Sequence, residues 1–208
     1  MDGGREGAAE PGVTNGAYRK PSLAERVTVE TDGGRPLWVF AYGSLMWDPG
    51  FAYEHCTPAV LKGYRRAFCV LSMSHRGTAE RPGLVLGLAP GGTCRGVVYR
   101  VARDHEPEVQ AYLFERERRR YDVYRERLLR VRHTRGAVLA QTYTADPDSS
   151  GYAGELPEDE IARRIVAAHG ERGPNFIYLE RTLGQLKTLG IREPSLERIY
   201  DLACALRG

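Results

Sequence analysis

The 208-residue chain lacks any run of about 18 apolar residues, so nothing in it reads as a membrane-spanning helix. Its opening stretch, Met1–Gly12, has no apolar core, which argues against a secretory signal. Cysteine is sparse: Cys56, Cys69, Cys94 and Cys204 are scattered, with no CxxC pair. Neither a zinc site nor a disulfide framework is expected from such spacing. They read instead as thiols of a reducing compartment, and the cytoplasm is the expected location. Excess charge of one sign is also nearly missing. Thirty basic side chains face 27 acidic ones, a net charge of +3, too weak an excess to call for a nucleic-acid or membrane partner. There is no GxSxG elbow, no Gly-Lys-Ser/Thr phosphate loop, no RNP or KH pattern and no internal repeat.

What is present is the mixture of a globular protein, 42% hydrophobic and 27% charged. Residues 1–36 hold seven glycines, three prolines, and five basic against six acidic side chains. Such a segment buries too little surface to offset its ordering entropy and is predicted to be a flexible tail, with residues 37–208 as one folded domain. Leu37–Tyr42 is a short apolar run ended by Gly43-Ser44 and reads as a buried strand. Further strands are predicted at Arg66–Leu71, Leu84–Leu88, Arg95–Val101, Tyr124–His133 and Ala137–Tyr143. Pro90-Gly91-Gly92 is read as a hairpin turn between the third and fourth. Asp104 is read as the N-cap of a helix carrying Val109, Leu113 and Arg116. Three more helices are expected: from Pro157 to His169-Gly170, from Gly173-Pro174-Asn175 to Gly190, and from Pro194 to Leu206. Strands first and helices last give an α+β class, a largely antiparallel sheet or barrel with C-terminal helices.

Four places could carry chemistry. At Phe40-Ala41-Tyr42-Gly43-Ser44-Leu45 a strand runs into a Gly-Ser turn, where backbone N–H groups can face a carboxylate or phosphate. A positive φ is expected at Gly43, and a plain turn is the competing reading. In Glu115-Arg116-Glu117-Arg118, helical spacing sets Glu117 on the face of Leu113. An inward carboxylate loses hydration and its pKa rises, which suits a general base; a solvated ion pair with a neighbouring arginine is the alternative. Nine arginines between Arg116 and Arg135 suggest either a nucleic-acid surface or a solvated face with local ion pairs. His75-Arg76, in a polar loop, could hold an anion or simply form a turn.

Taken in order, the segments Trp38–Trp47, Gly63–Phe68, His75–Thr78, Arg81–Leu86, Gly96–Arg100, Tyr112–Glu117 and Gly173–Asn175 with Tyr178-Leu179 and Leu189–Ile191 resemble the γ-glutamylcyclotransferases. The Leu45 form of the first loop is similar to their ChaC-like branch, and the resemblance covers roughly residues 37–206. It implies a small mixed β-barrel with flanking and C-terminal helices. It further implies cleavage of glutathione to 5-oxoproline and cysteinylglycine without a cofactor or metal. Glu117 matches the family's catalytic glutamate, and Tyr42, Gly43, Ser44, Leu45 and Met46 match its substrate loop. His75 and Arg76 join the expected substrate-binding set, and Tyr143 is either a pocket hydroxyl or a core tyrosine. The expected partner is a small molecule, glutathione or another γ-glutamyl amine or dipeptide. A non-catalytic regulator or nucleic-acid binder using residues 116–135 is the reading from another class.

Overall fold

The computed structural model describes residues 36–118 and 122–208, which fall in a single unit, Gly34–Gly208. The expected tail therefore lies outside the described residues, apart from its last position. Strands β1 (Trp38–Ala41), β2 (His55–Ser72), β3 (Gly83–Arg100), β4 (Tyr124–His133) and β5 (Gly136–Ala145) form a closed barrel in the order β1-β3-β2-β4-β5. All neighbours are antiparallel except β1 and β5, whose parallel contact at Val39 and Gln141 closes the ring. A side chain reinforces that closure, because the Thr142 hydroxyl donates to the Phe40 carbonyl over 3.0 Å. The barrel is filled by alternate, inward side chains such as Phe40, Leu61, Leu86 and Leu88, all at most 2% exposed. Each such residue contributes about 1.5–3 kcal/mol through burial. The α+β reading and the barrel with helices behind it both hold.

The predicted third and fourth strands are one. β3 runs unbroken for 18 residues and pairs along its length with β2, so Pro90-Gly91-Gly92 is not a hairpin turn. Gly91 and Gly92 do have positive φ (89° and 76°), as does Gly63 (87°) on β2. The register of the pair shifts between Lys62 and Tyr64, opposite these glycines, so they make a bulge in two long strands. The actual connection is the loop 73–82, which carries His75 and Arg76.

The four helices are α1 (Glu106–Leu113), α2 (Glu158–Ala167), α3 (Asn175–Thr188) and α4 (Pro194–Arg207). α1 begins one residue later than Asp104 as N-cap suggests, with His105 in that position, after a 3-10 turn at Arg103–His105. α2 ends at Ala167. His169-Gly170 belongs instead to β6, which pairs with β7 (Gly173–Pro174) in a miniature hairpin.

One docking contact positions the rest. The Asn175 side chain, fully buried, accepts from Leu84 N over 2.6 Å and donates to Leu84 O over 2.8 Å. It thus imitates a neighbouring strand for one residue of β3. Three residues along α3, the Tyr178 hydroxyl accepts from Leu86 N at 3.2 Å, while Tyr124 of β4 donates to Leu86 O at 2.7 Å. Buried backbone polar groups need partners. Here tyrosine hydroxyls supply them where a strand would otherwise lie.

Candidate active site

The cavity opens at this interruption of the ladder. Its inner recess, about 30 Å³, is walled by Tyr42, Tyr124, Tyr143 and Tyr178, with Gly43, Ser44, Leu45 and Glu117. It leads to an open mouth of about 270 Å³ that shares Ser44, Glu117, Tyr124 and Tyr178. The mouth adds Trp47, Tyr112, His75, Arg76, Arg116, Arg172 and Arg181. Glu117 therefore sits at the junction of the two compartments.

Glu117 does not end an α-helix, as the spacing predicts. Past Leu113 the chain widens into a π-helical turn, Phe114–Arg118. Such turns shift side chains away from the α-helical rows and recur at functional sites. Leu113 stays in the core at 0% exposure, and the Glu117 side chain is 14% exposed. Burial pushes the Glu117 carboxyl above the usual carboxylate range. The Arg116 guanidinium beside it, by charge and hydrogen bond, pulls partly the other way. The carboxylate is thus inward and also paired with an arginine, but the pair is largely buried rather than on a solvated face.

Arg116 is the residue that sequence reasoning passes over. Its Nε lies 3.3 Å from Glu117 Oε1. Its Nη2 donates to Ser44 Oγ at 2.9 Å, and its Nη1 donates to the Asp48 carbonyl at 2.8 Å and to the Tyr112 hydroxyl at 2.6 Å. One planar fork thereby ties the Gly-Ser loop to the carboxylate. Adjacency to Glu117 was the only signal in the sequence.

The loop itself turns through a 3-10 segment, Ser44–Met46. Gly43 has φ −123°, so the expected positive φ is absent and glycine is needed there for another reason. A Cβ at Gly43 would stand 3.3 Å from the Tyr178 hydroxyl and 3.9 Å from Leu86 Cβ. Close approach, not a left-handed backbone, is the constraint. The loop's own hydrogen bonds use the N–H groups of Met46, Trp47 and Asp48. Those of Ser44 and Leu45 come before the first such bond, where a helical turn leaves its donors unused internally. The Ser44 hydroxyl accepts from Arg116, a cation that cannot take a proton, which disfavours Ser44 as a nucleophile.

Beneath the loop lies Arg66, whose side chain is 0% exposed. Its Nε donates to the Tyr42 carbonyl at 2.6 Å, and its other nitrogens reach Glu193 and the Arg95 carbonyl. Burial raises the Glu193 pKa, and Arg66 opposes that rise.

The remaining predicted residues divide. Leu45 borders the recess, whereas Met46 is 4% exposed, borders neither compartment and packs in the core with Sδ 3.9 Å from Arg66 Nη2. Tyr143 is both pocket wall and core: it is 2% exposed, and its hydroxyl accepts from Gln141 at 2.9 Å. Its carbonyl accepts from the Tyr42 hydroxyl at 2.8 Å. Burial and the charge of Glu117 raise the Tyr42 pKa, so this hydroxyl keeps its proton. His75 and Arg76 reach the mouth, but the Arg76 guanidinium donates to the carbonyls of Arg172 (2.5 Å) and Pro174 (3.4 Å). Tyr112, Tyr124, Trp47 and Arg172 line the cavity without having been singled out as site residues. No alternation or spacing marks them: Tyr124 comes from β4, Tyr112 from α1, Trp47 from the end of the Gly-Ser loop and Arg172 from the turn between β6 and β7.

Of the arginine run, Arg125 pairs with Asp122 and Asp146, at 3.8 and 2.5 Å. Among the described residues no three side chains of metal-ligating type cluster, and no helix is long and apolar enough to cross a membrane.

A family model described as ChaC-like protein matches residues 37–204. The chain is 34% identical to the glutathione-specific gamma-glutamylcyclotransferase of Escherichia coli, over 86% of this chain and 77% of that protein. It is 34% identical to gamma-glutamylcyclotransferase 2-3 of Arabidopsis thaliana, over 82% and 88%. Among solved structures, a gamma-glutamyl cyclotransferase specific to glutathione from yeast superposes with a TM-score of 0.75 at 25% identity, covering 83% of this chain and 97% of that one.

Proposed function

The chain belongs to the ChaC-like family, and from that premise we infer that it is a lyase cleaving the γ-glutamyl bond of glutathione to 5-oxoproline and cysteinylglycine. One observation carries the reading: a largely buried carboxylate of raised pKa, Glu117, stands between a tyrosine-walled recess and an open mouth. The substrate brings its own nucleophile, the α-amino group, and its own electrophile, the γ-carbonyl. Folding one onto the other closes a five-membered lactam. Orientation then supplies much of the rate, effective molarities for such reactions reaching about 10⁵ M or more.

In this mechanism the glutamyl end enters the recess, where the Ser44 and Leu45 N–H groups hold its α-carboxylate. Glu117 takes a proton from the α-ammonium group. The freed amine attacks the γ-carbonyl, and the bond from that carbon to the cysteine nitrogen breaks. Glu117 returns the proton to the departing nitrogen, then takes the second proton from the attacking nitrogen as the lactam forms and passes it to the released amine, which leaves as an ammonium. No water attacks and no covalent enzyme intermediate forms. Arg116 opposes the rise that burial gives the Glu117 pKa, and its bond to Ser44 ties the loop to the carboxylate.

The test is direct: purified protein is mixed with glutathione and the products are read by mass spectrometry. Equal amounts of 5-oxoproline and cysteinylglycine are expected. Product from other γ-glutamyl amines but not from glutathione would replace the substrate. Product from none would overturn the reading.

A further inference from the structure

We propose that Arg172 and Arg181 form a second carboxylate subsite at the mouth of the cavity, which selects γ-glutamyl substrates whose departing half ends in a free carboxylate. The proposal rests on the lyase reading above and adds what that reading leaves open, namely how the leaving half is recognised.

Both residues line the mouth. They come from different elements. Arg181 lies three residues after Tyr178 on α3, and side chains so spaced share a helix face. Arg172 stands at the tip between β6 and β7. That tip is firmly seated. Arg172 N donates to the His75 carbonyl at 3.0 Å, Glu171 N donates to the Ser74 carbonyl at 2.8 Å, and the Arg172 carbonyl accepts from Arg76 at 2.5 Å. A Cβ at Gly170 would collide with the Ser74 carbonyl, so glycine permits the hairpin to lie this close to the loop. Arg76 therefore acts as the support that holds the Arg172 backbone at the cavity rim. Its burial, 8% exposed, suits that role better than contact with a ligand.

The two guanidinium groups are uncommitted. On α2 and α4 and in the link before α4, Arg163, Arg164, Arg198 and Arg192 each have a carboxylate within 4 Å. Within the mouth, Arg116 already engages Glu117 and Asp48. Among the described residues neither Arg172 nor Arg181 has a carboxylate partner. Glu115 also lines the mouth, so two free cations exceed one further carboxylate there. Arginine forks match carboxylates, and excess positive charge in a cleft attracts anions.

The reach fits. Beyond the scissile bond glutathione carries two residues, which span about 7 Å when extended. That carries a terminal carboxylate from the junction at Glu117 outward into the mouth. An interaction made equally in the ground and transition states changes KM and leaves kcat alone.

The experiment compares glutathione with its glycine monoethyl ester, in the wild type and in the double variant Arg172→Ala/Arg181→Ala. Both side chains are exposed, so the variant should fold, which thermal denaturation verifies. For the wild type, kcat/KM should fall about 10-fold or more with the ester, through KM. The double variant should raise KM for glutathione by a similar factor and treat acid and ester within about twofold. The wild-type KM for glutathione, but not for the ester, should rise with salt. A wild type that uses acid and ester equally overturns the subsite while the lyase reading stands. A folded double variant that still discriminates assigns recognition to other groups and also overturns it. Absence of 5-oxoproline from either substrate with the wild type overturns the lyase reading and the subsite with it. Should the variant fail to fold, the wild-type ester and salt comparisons alone decide.

Discussion

At the scale of single residues, the pair Arg116–Glu117 sets the chemistry of the proposed mechanism, and its electrostatics give signed expectations. A carboxylate whose folded pKa is raised loses stability as the pH climbs through that pKa, because the native state holds the proton more tightly than the unfolded chain. Glu117→Gln removes that penalty, so the variant should melt no lower than the wild type at neutral pH. It should nevertheless lose about 10²-fold or more in kcat, since an amide cannot accept the proton. Turnover within tenfold of wild type would take Glu117 out of the mechanism. Arg116 lowers the Glu117 pKa by charge and by hydrogen bond. Arg116→Met should therefore move the acidic limb of the kcat/KM profile to higher pH, and Arg116→Lys should restore part of the shift. A pH profile over both variants checks this, and an unmoved limb would show that Arg116 acts on the loop alone. The carboxylate's place behind an apolar helical stripe left it open between an inward base and a solvated ion pair, and the resemblance to the γ-glutamylcyclotransferases singled it out. Its arginine was not legible, because in sequence an arginine next to a glutamate reads as an ordinary solvated ion pair.

At the scale of elements, the first strand and its Gly-Ser turn were legible because an apolar run stops abruptly at Gly43. The reason for the glycine was misread: the turn needs no positive φ, but α3 brings the Tyr178 hydroxyl against it. That contact depends on Asn175 docking at Leu84, 91 residues away in sequence, which no local pattern reports. Gly43→Val should consequently impair turnover far more than melting temperature, since the clash falls in the recess. Ser44→Ala should cost less. Equal kinetic damage from both would shift the weight to the serine hydroxyl. A stronger effect on stability belongs to Arg66, which joins the Tyr42 carbonyl to Glu193 at the start of α4. Removing one partner of a buried pair strands the other charge, at a cost of about 3 kcal/mol or more. Arg66→Ala should lower Tm by about 6 °C or more for a domain of this size. Replacing Glu193 by Leu in the same chain should recover part of the loss, and calorimetry on the single and double variants measures the coupling.

At the scale of the whole molecule, the order of strands before helices was readable, and with it the class. The closed ring was not. β1 and β5 meet at one parallel register pair about a hundred residues apart, and β2 and β3 bend at glycines that look like a turn when taken alone. Closure is a long-range property, and it is closure that brings Tyr42, Tyr124 and Tyr143 around one recess, to which the docking of α3 adds Tyr178. Among the described residues, those lining the two compartments lie between Phe40 and Arg181, and the family match begins at residue 37. The glycine- and proline-rich residues 1–34 lie outside that match. A protein lacking them should therefore retain kcat, KM and Tm, with kcat/KM within about twofold of the full chain. The comparison should be made at matched protein concentration, with glutathione as substrate and denaturation followed in the same buffer. A fall in Tm with kinetics preserved would mean that the segment braces the barrel. A rise in KM with Tm preserved would mean that it reaches the cavity mouth, and the substrate-binding wall would then have to include it.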